Sequence, residues 1–406
     1  MKDTDIFQAA LGFSAPWMVE SVRFNTDAGQ LTIKLDFQRG SEFACPKCGK
    51  LGKPHDTVEK SWRHLNFFQH KTELSARVPR VGCPECGVRL ANVPWASQGS
   101  GFTLLFEAYC MLLAADMPVR ALADLVGEHD TRIWRIITRK VGEAREKEDF
   151  SKVERLGVDE TSSRRGHKYV TVFMDMDNSK VIFATPGKDG TTFEEFKKDL
   201  AAHQGDPLNV KELSMDMSAA FIAAAAKEFP DAGVTFDKFH CVKLLNEAVD
   251  EVRREEVKVR PELKGTRYVW LRNVGTMTER QEATLDELST PSLNLKTAKA
   301  FQMKLLFQEV YEMPVELAGP ALKKWYSWAC RSRIEPMMRV AKTVKKHWDG
   351  ILRWFESGLT NGPVEAINGV IQTVKRKARG FRNIDNFIAM IYLQCGKLDL
   401  GVRLPT

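Results

Sequence analysis

No stretch of this sequence approaches the roughly 20 consecutive apolar residues that a membrane-crossing helix needs. The opening MKDTDIFQAALGF lacks the basic-then-apolar layout of a secretory signal, so the reading is a cytoplasmic chain whose thiols stay reduced. A large charge excess is missing too. With 60 Lys and Arg against 53 acids, the net charge is +7 over 406 residues, and any attraction to a polyanion must come from local clustering. Nor is there a disulfide framework: of eight cysteines, Cys110, Cys241, Cys330 and Cys395 are scattered singly and read as small buried hydrophobes. What remains, 43% hydrophobic and 28% charged, is a globular composition with room for two or three domains.

The other four cysteines form two tight pairs, CPKCGK with Cys45 and Cys48, and CPECGV with Cys83 and Cys86. Each is a Cys-Pro-x-Cys-Gly knuckle, which turns backbone amides toward two sulfurs while glycine relieves the turn. Two knuckles supply four thiolates, a closed tetrahedral site for structural Zn²⁺ with no open position for catalysis. A redox motif would not occur twice, and duplication of the Pro and Gly argues against chance. His55, His64 and His70 are available substitutes that four cysteines make unnecessary. The segment between the pairs reads as strand, and MVESVRFNTDAGQLTIKLDFQRG reads as two strands around Asp27 to Gly29. A β-rich module of about the first hundred residues follows.

MPVRALADLVGEHDTRIWRIITRKV has the spacing of two short helices joined at Gly127, with Asp130 or Thr131 as cap of the second. Ile133, Ile136 and Ile137 would face inward, leaving Arg132, Arg135, Arg139 and Lys140 outside. Such a face enters a major groove or grips phosphates. An ordinary helical hairpin with a solvated basic face fits the same pattern, but beside a zinc ribbon the DNA-binding reading is stronger.

After the linker-like EAREKEDFSK the pattern becomes α/β. Three strands in a meander (VERLGVDETS, HKYVTVFMDMD, SKVIFATPG) precede a helix, a strand reaching Asp216, a helix, and a strand reaching Asp237. Asp159 is read as the end of the first strand, and it would lie near Asp216 if the first and fourth strands are neighbours. That is the plan of a ribonuclease H-like core. Phosphodiester cleavage in such a core uses two divalent ions about 4 Å apart, held by hard carboxylate oxygens. Asp159 would bridge both ions, Asp216 would bind one, and a third acid must come from a later helix.

NGPVEAINGVIQTVKRKARGF supplies it. Val364, Ile367, Ile371, Val374 and Ala378 form an apolar stripe at helical spacing, with Glu365, Asn368, Gln372 and Arg376 on a second line. Glu365 would serve as the third ligand, and Gln372, Lys375, Arg376 and Arg379 would continue along a DNA backbone. The alternative is a helix-start acid complementing the dipole, with Asn361 as the N-cap. Among rivals, Glu160 faces the other side of its strand, Asp175 and Asp177 read as turn residues, and Asp237 with His240 reads as a pair that positions ligands or substrate.

Together CPKCG, WRHLNFF leading into RVGCPECG, LGVDET, SMDMSAAF, FDKFHCVKLLNEAVDEVRR, LKGTRYVWLRN and TNGPVEAINGVIQTVKRKARGFRN resemble the bacterial insertion-sequence transposases of the ISL-three family, over nearly the whole chain. The resemblance implies an α/β fold: a ribonuclease H-like DDE catalytic core with an α-helical insertion, preceded by a β-rich zinc-binding domain and a helix-turn-helix. In this chain the expected division is 1–98 for zinc binding, 99–150 for the helix-turn-helix, 151–240 and 360–406 for the core, and 241–359 for the insertion. RYVWLRN and KTVKKHWDGILRWF in the insertion read equally as DNA contacts or as core packing. The implied triad is Asp159, Asp216 and Glu365, with Mg²⁺ (Mn²⁺ as an alternative) as catalytic metal. The implied partners are double-stranded DNA, as terminal inverted repeats and target, and further copies of the chain in a synaptic complex on the nucleoid. Two other readings stay open: a catalytically inert DNA-binding regulator, and a related nuclease that cleaves without joining.

Overall fold

A computed structural model describes residues 2–164, 168–359 and 362–401. The chain divides into two compact units, Met1–Ala144 with Asp399–Thr406, and Arg145–Leu398.

The first unit runs α1 (Asp3–Ala10), β1 (Trp17–Asn25), β2 (Gln30–Phe37), β3 (Phe43–Ala44), β4 (Leu51–Gly52), β5 (Pro54–Phe67), β6 (His70–Cys83) and β7 (Gly87–Leu90). Its sheet has the order β1-β2-β6-β5, with β7 also on β6. The turn expected around Asp27 to Gly29 closes the β1–β2 hairpin, with Gly29 at φ 59°. Alternation in β2 buries Leu31, Ile33 and Leu35 on one face, against Trp17, Trp62, Leu74 and Trp95.

Three helices follow, α2 (Leu104–Asp116), α3 (Val119–Val126) and α4 (Asp130–Arg145). Gly127 ends α3 in the left-handed region at φ 69°, and its N–H and that of Glu128 return to the Ala123 carbonyl. The cap of α4 differs from expectation. Asp130 is the first helical residue, and the His129 carbonyl takes the first N–H bonds, from Arg132 and Ile133.

The second unit contains β8 (Arg155–Arg164), β9 (Lys168–Asp175), β10 (Lys180–Pro186), α5 (Thr191–Ala202), β11 (Glu212–Met215), α6 (Ala219–Glu228) and β12 (Gly233–Phe236). Their sheet has the order β10-β9-β8-β11-β12, antiparallel across the first three strands and parallel from β8 to β12. One face packs Phe173 on Phe193 and Phe196, with Phe221 and Phe229 beyond. The supposed linker contributes to this core, since Phe150 is 1% exposed within it. Asp175 is the turn residue expected, accepting from the backbone N–H of Asp177 and Asn178.

In chain order, helices α7 (Lys238–Glu256), α8 (Arg267–Leu271), α9 (Glu279–Leu288), α10 (Lys296–Val310), α11 (Val315–Cys330), α12 (Glu335–Lys346) and α13 (Trp348–Ser357) come between the strands and the last pair, α14 (Gly362–Lys377) and α15 (Ile384–Cys395). Core packing accounts for the tryptophan of RYVWLRN: Trp270 is buried and donates to the Thr266 hydroxyl at 3.0 Å. Of the single cysteines, Cys110, Cys241 and Cys395 are buried, whereas Cys330 is only partly so. Asn361, the expected N-cap, lies outside the described residues.

Candidate active site and metal centre

Asp159 is not at a strand end. Strand β8 continues to Arg164 through its pairing with β9, while its pairing with β11 stops at Gly157 opposite Ser214. Asp159 therefore lies just where β11 gives out, and Asp216 follows the last residue of β11. The loss of one neighbour, rather than the end of the strand, opens space around the acid.

Residues Gly157, Asp159 and Thr161 alternate onto one face of β8. Along that face runs α14. Asn368 donates to a carboxylate oxygen of Asp159, Gln372 donates to the Thr161 hydroxyl at 2.6 Å, and the Lys375 ammonium reaches the Ser162 carbonyl. Val364 and Ile371 of the expected stripe are buried, and Ile367, Val374 and Ala378 are half-buried. Arg376 and Arg379 are exposed. Asp237 caps α7 by accepting from the Phe239 N–H at 2.9 Å, and its second oxygen holds His240 Nδ1 at 2.9 Å.

These groups share one electrostatic field. Burial raises the Asp159 carboxyl above the usual range; the Glu160 N–H and the charge of His240 oppose this, and Asp216 and Asp237 add to it. Glu365 faces solvent over much of its surface, yet partial loss of water raises it, as do Asp237 and Asp159, against His240. His240 is raised, first by its hydrogen bond to Asp237. Glu160, set aside as facing the other way, belongs to the same field: burial and Asp216 push it up to about 7, and Lys188 eases it. Carboxylates that hold one another's charge in check present hard oxygens, the donor set a divalent ion such as Mg²⁺ takes. These residues fit that ion. Asp159, Asp216 and Glu365 do not already converge to a tight ligand cage: among the described residues, only the four cysteines bring three or more such ligand atoms within 4.8 Å of one another.

The cysteine cluster is built by two turns. Gly49 at φ 76° and Gly87 at φ 73° close the knuckles, and Cys48 and Cys83 sulfurs stand 3.5 Å apart. Backbone N–H groups of Cys48 and Lys47 bring the Cys45 thiol down to about 7. Burial and the neighbouring sulfurs push Cys86 up to about 12, so four thiolates coexist here only around a cation. His55, His64 and His70 take no part in this set.

On α4, Ile133, Ile136 and Ile137 are buried as expected. The four cations are less free than the sequence suggested. Arg132 pairs with Glu128 and lies over the Phe102 ring. Arg139 and Lys140 both reach the fully buried Glu107, which also accepts from the Ser100 hydroxyl at 2.7 Å. Arg135 alone of the four is exposed and has no ion pair among the described residues.

Comparison with known proteins agrees with this anatomy. Residues 156–391, more than half of the chain, match a family described as transposase, of the ISL3 DDE type. The chain belongs to the ISL3 family of transposases. Within this transposase, residues 91–141 match the helix-turn-helix domain of transposase family ISL3, and residues 41–86 match the zinc-finger of transposase IS204/IS1001/IS1096/IS1165. It is 28% identical to the transposase for insertion sequence element IS1557 of Mycobacterium tuberculosis, over 97% of this chain and 96% of that one. It is also 28% identical to the transposase for insertion sequence element IS1001 of Bordetella parapertussis, over 96% and 98% of the two chains. The zinc-finger match and the four-cysteine cluster together support structural Zn²⁺, and the helix-turn-helix match implies DNA binding. No helix among the described residues is long and apolar enough to cross a membrane.

Sequence reading missed two roles on the site's face. Asn368 was placed on the polar line of α14 without a partner, and Gly157 was not singled out. The signal for both is the match between every second residue of β8 and every fourth residue of α14.

Proposed function

We propose that this transposase binds the terminal inverted repeats of its insertion sequence, hydrolyses a strand at each end, and joins the freed 3′-hydroxyl to target DNA through Asp159, Asp216 and Glu365. The observation that carries the reading is α14 seated along the face of β8 that bears Asp159, with Glu365 in its first turn and in the field of Asp159. In the first step a water oxygen attacks phosphorus and the bond to the 3′-oxygen breaks. In the second, the 3′-hydroxyl attacks a target phosphodiester, whose own 3′-oxygen leaves. Mg²⁺, or Mn²⁺ in its place, would supply neutralisation of the developing charge and activation of the nucleophilic oxygen.

The three acids hold the site, and Asn368 orients Asp159. The Asp237–His240 pair places an imidazole beside the acids, its pKa raised first by the hydrogen bond to Asp237, where it would face a scissile or neighbouring phosphate. Exposed Arg376 on α14 and Arg379 just past its end, with Lys375 and Gln372 deeper on the helix, form the continuing phosphate track, and Arg135 leads the contact from α4. Two ends must be cut and joined together, so the working form is a dimer or larger assembly, acting on the nucleoid in the cytoplasm.

The test is mobility in cells of a marker flanked by the element's own ends, with wild type beside Glu365→Gln. Glutamine keeps shape and removes charge. Loss of mobility with end binding retained supports the reading, and equal mobility returns Glu365 to the role of a helix-start acid. Immobility of the wild type itself points to an inert regulator, and cleaved but unjoined ends in vitro point to a nuclease.

A further inference from the structure

We propose that Gly157 is a positioning residue for the catalytic acids: its missing side chain lets α14 seat closely on the face of β8 that bears Asp159, which fixes where Glu365 stands beside that acid. The proposal rests on the reading of Asp159 and Glu365 as ligands of one metal site.

The geometry is specific. A Cβ placed on Gly157 would stand 2.7 Å from Val364 Cγ2, 2.6 Å from Met176 Sδ and 3.1 Å from Met174 Cγ. Ordinary carbon contacts lie at about 3.5–4.0 Å. The methionines have flexible chains and can swing aside. Val364 cannot do so cheaply, because a β-branched residue in a helix has one strongly preferred rotamer. It is 3% exposed, packed with Met174, Met176 and Leu359, and directly precedes Glu365. Relief of the overlap therefore falls on the helix, which must lift by roughly 1 Å.

No other feature of the backbone at this position calls for glycine. Gly157 does not have a positive φ, and it sits inside a regular strand, paired with Met174 on one side and Ser214 on the other. A glycine inside a strand weakens it, so its presence marks a close approach.

Seating at Gly157 also sets the register of the whole contact. From Gly157 to Thr161 a strand advances about 13 Å, at about 3.3 Å per residue. From Val364 to Gln372 a helix advances about 12 Å, at 1.5 Å per residue. The two elements thus stay in step: Val364 on Gly157, Asn368 on Asp159, Gln372 on Thr161. Glu365 lies one residue past the first of these contacts, where a displaced helix moves its carboxylate most directly.

The experiment measures Mn²⁺ binding to the full-length protein by titration calorimetry, beside thermal melting and end cleavage. The chains compared are wild type, Glu365→Gln, Gly157→Ala, Val364→Ala and the pair Gly157→Ala with Val364→Ala. The expected result is a loss of Mn²⁺ affinity of about tenfold in Gly157→Ala, the size seen when groups supporting a metal ligand are disturbed. Removing the valine methyls in the same chain should return affinity to that of Val364→Ala alone. A general packing role would move the melting temperature without this rescue of metal affinity. If Gly157→Ala does not fold, the folded pair decides, and tenfold weaker binding by the pair than by Val364→Ala overturns the proposal. Wild-type affinity in Gly157→Ala, with Glu365→Gln weakened, also overturns it. Wild-type affinity in Glu365→Gln sinks instead the assignment of Glu365 as a ligand.

Discussion

At the scale of single residues, the structure distinguishes side chains that the sequence presents as equivalent. Arg135 and Arg139 are both basic residues of α4, yet one is exposed with no ion pair among the described residues and the other is committed to buried Glu107. Arg135→Ala is expected to weaken DNA binding nearly uniformly across sequences and to lower the salt slope by about one, read from binding isotherms at several salt concentrations. Arg139→Ala should instead destabilise the fold by roughly 2 kcal/mol, measured by denaturant melts. That is below the usual cost of breaking a buried pair, because Lys140 and Ser100 still reach Glu107. His64 behaves differently again. Burial, then the charge of Arg63, lowers it to about 4. Its unfolded value is near 6.5, so the unfolded chain binds the extra proton between these limits. Stability from neutral His64 is complete above pH 6.5 and is lost as pH falls toward 4. A His64→Gln chain should take up about one proton fewer on unfolding across that window, read from the slope of stability against pH.

Among elements, hairpins and knuckles were legible because their signals are local. Glycine at positive φ, Cys-Pro-x-Cys spacing and period-two alternation need no distant partner. The bounds of β8 and the cap of α4 were less legible. Asp159 read as a strand end because the apolar-rich run stops there, but pairing with β9 carries the strand on to Arg164. The ribbon offers the clearest test at this scale. Its two knuckles lie between β3 and β4 and between β6 and β7, and beside the Lys50–Glu85 ion pair a metal held by all four sulfurs would be their main tie. Chelation, or Cys45→Ser, should release one zinc per chain and lower the melting of the β-rich module, with the loss of zinc followed by a colorimetric assay.

For the whole molecule, the helix-turn-helix match over residues 91–141 falls within the first compact unit and the DDE match over residues 156–391 within the second. Asp159→Ala should abolish cleavage and strand transfer while leaving end binding within about twofold, since it removes a carboxylate and no phosphate-contacting cation. Gel-shift and cleavage assays on one preparation make that comparison. Strand transfer retained in the variant would remove Asp159 from the catalytic set.

The sequence alone determined the zinc ligands, the order of strands and helices, the apolar stripe of α14 and the identity of the acids worth testing. Each of these is written in spacing along the chain. Only tertiary structure decided which cations on α4 are held in ion pairs, that Glu160 shares the field of Asp216, and that Asn368 meets Asp159 at a sequence separation of 209. It also decided why residue 157 is glycine. The physical reason is common to all four: a charge, a hydrogen bond or an excluded volume acts through space, and its partner lies on an element that sequence spacing does not place.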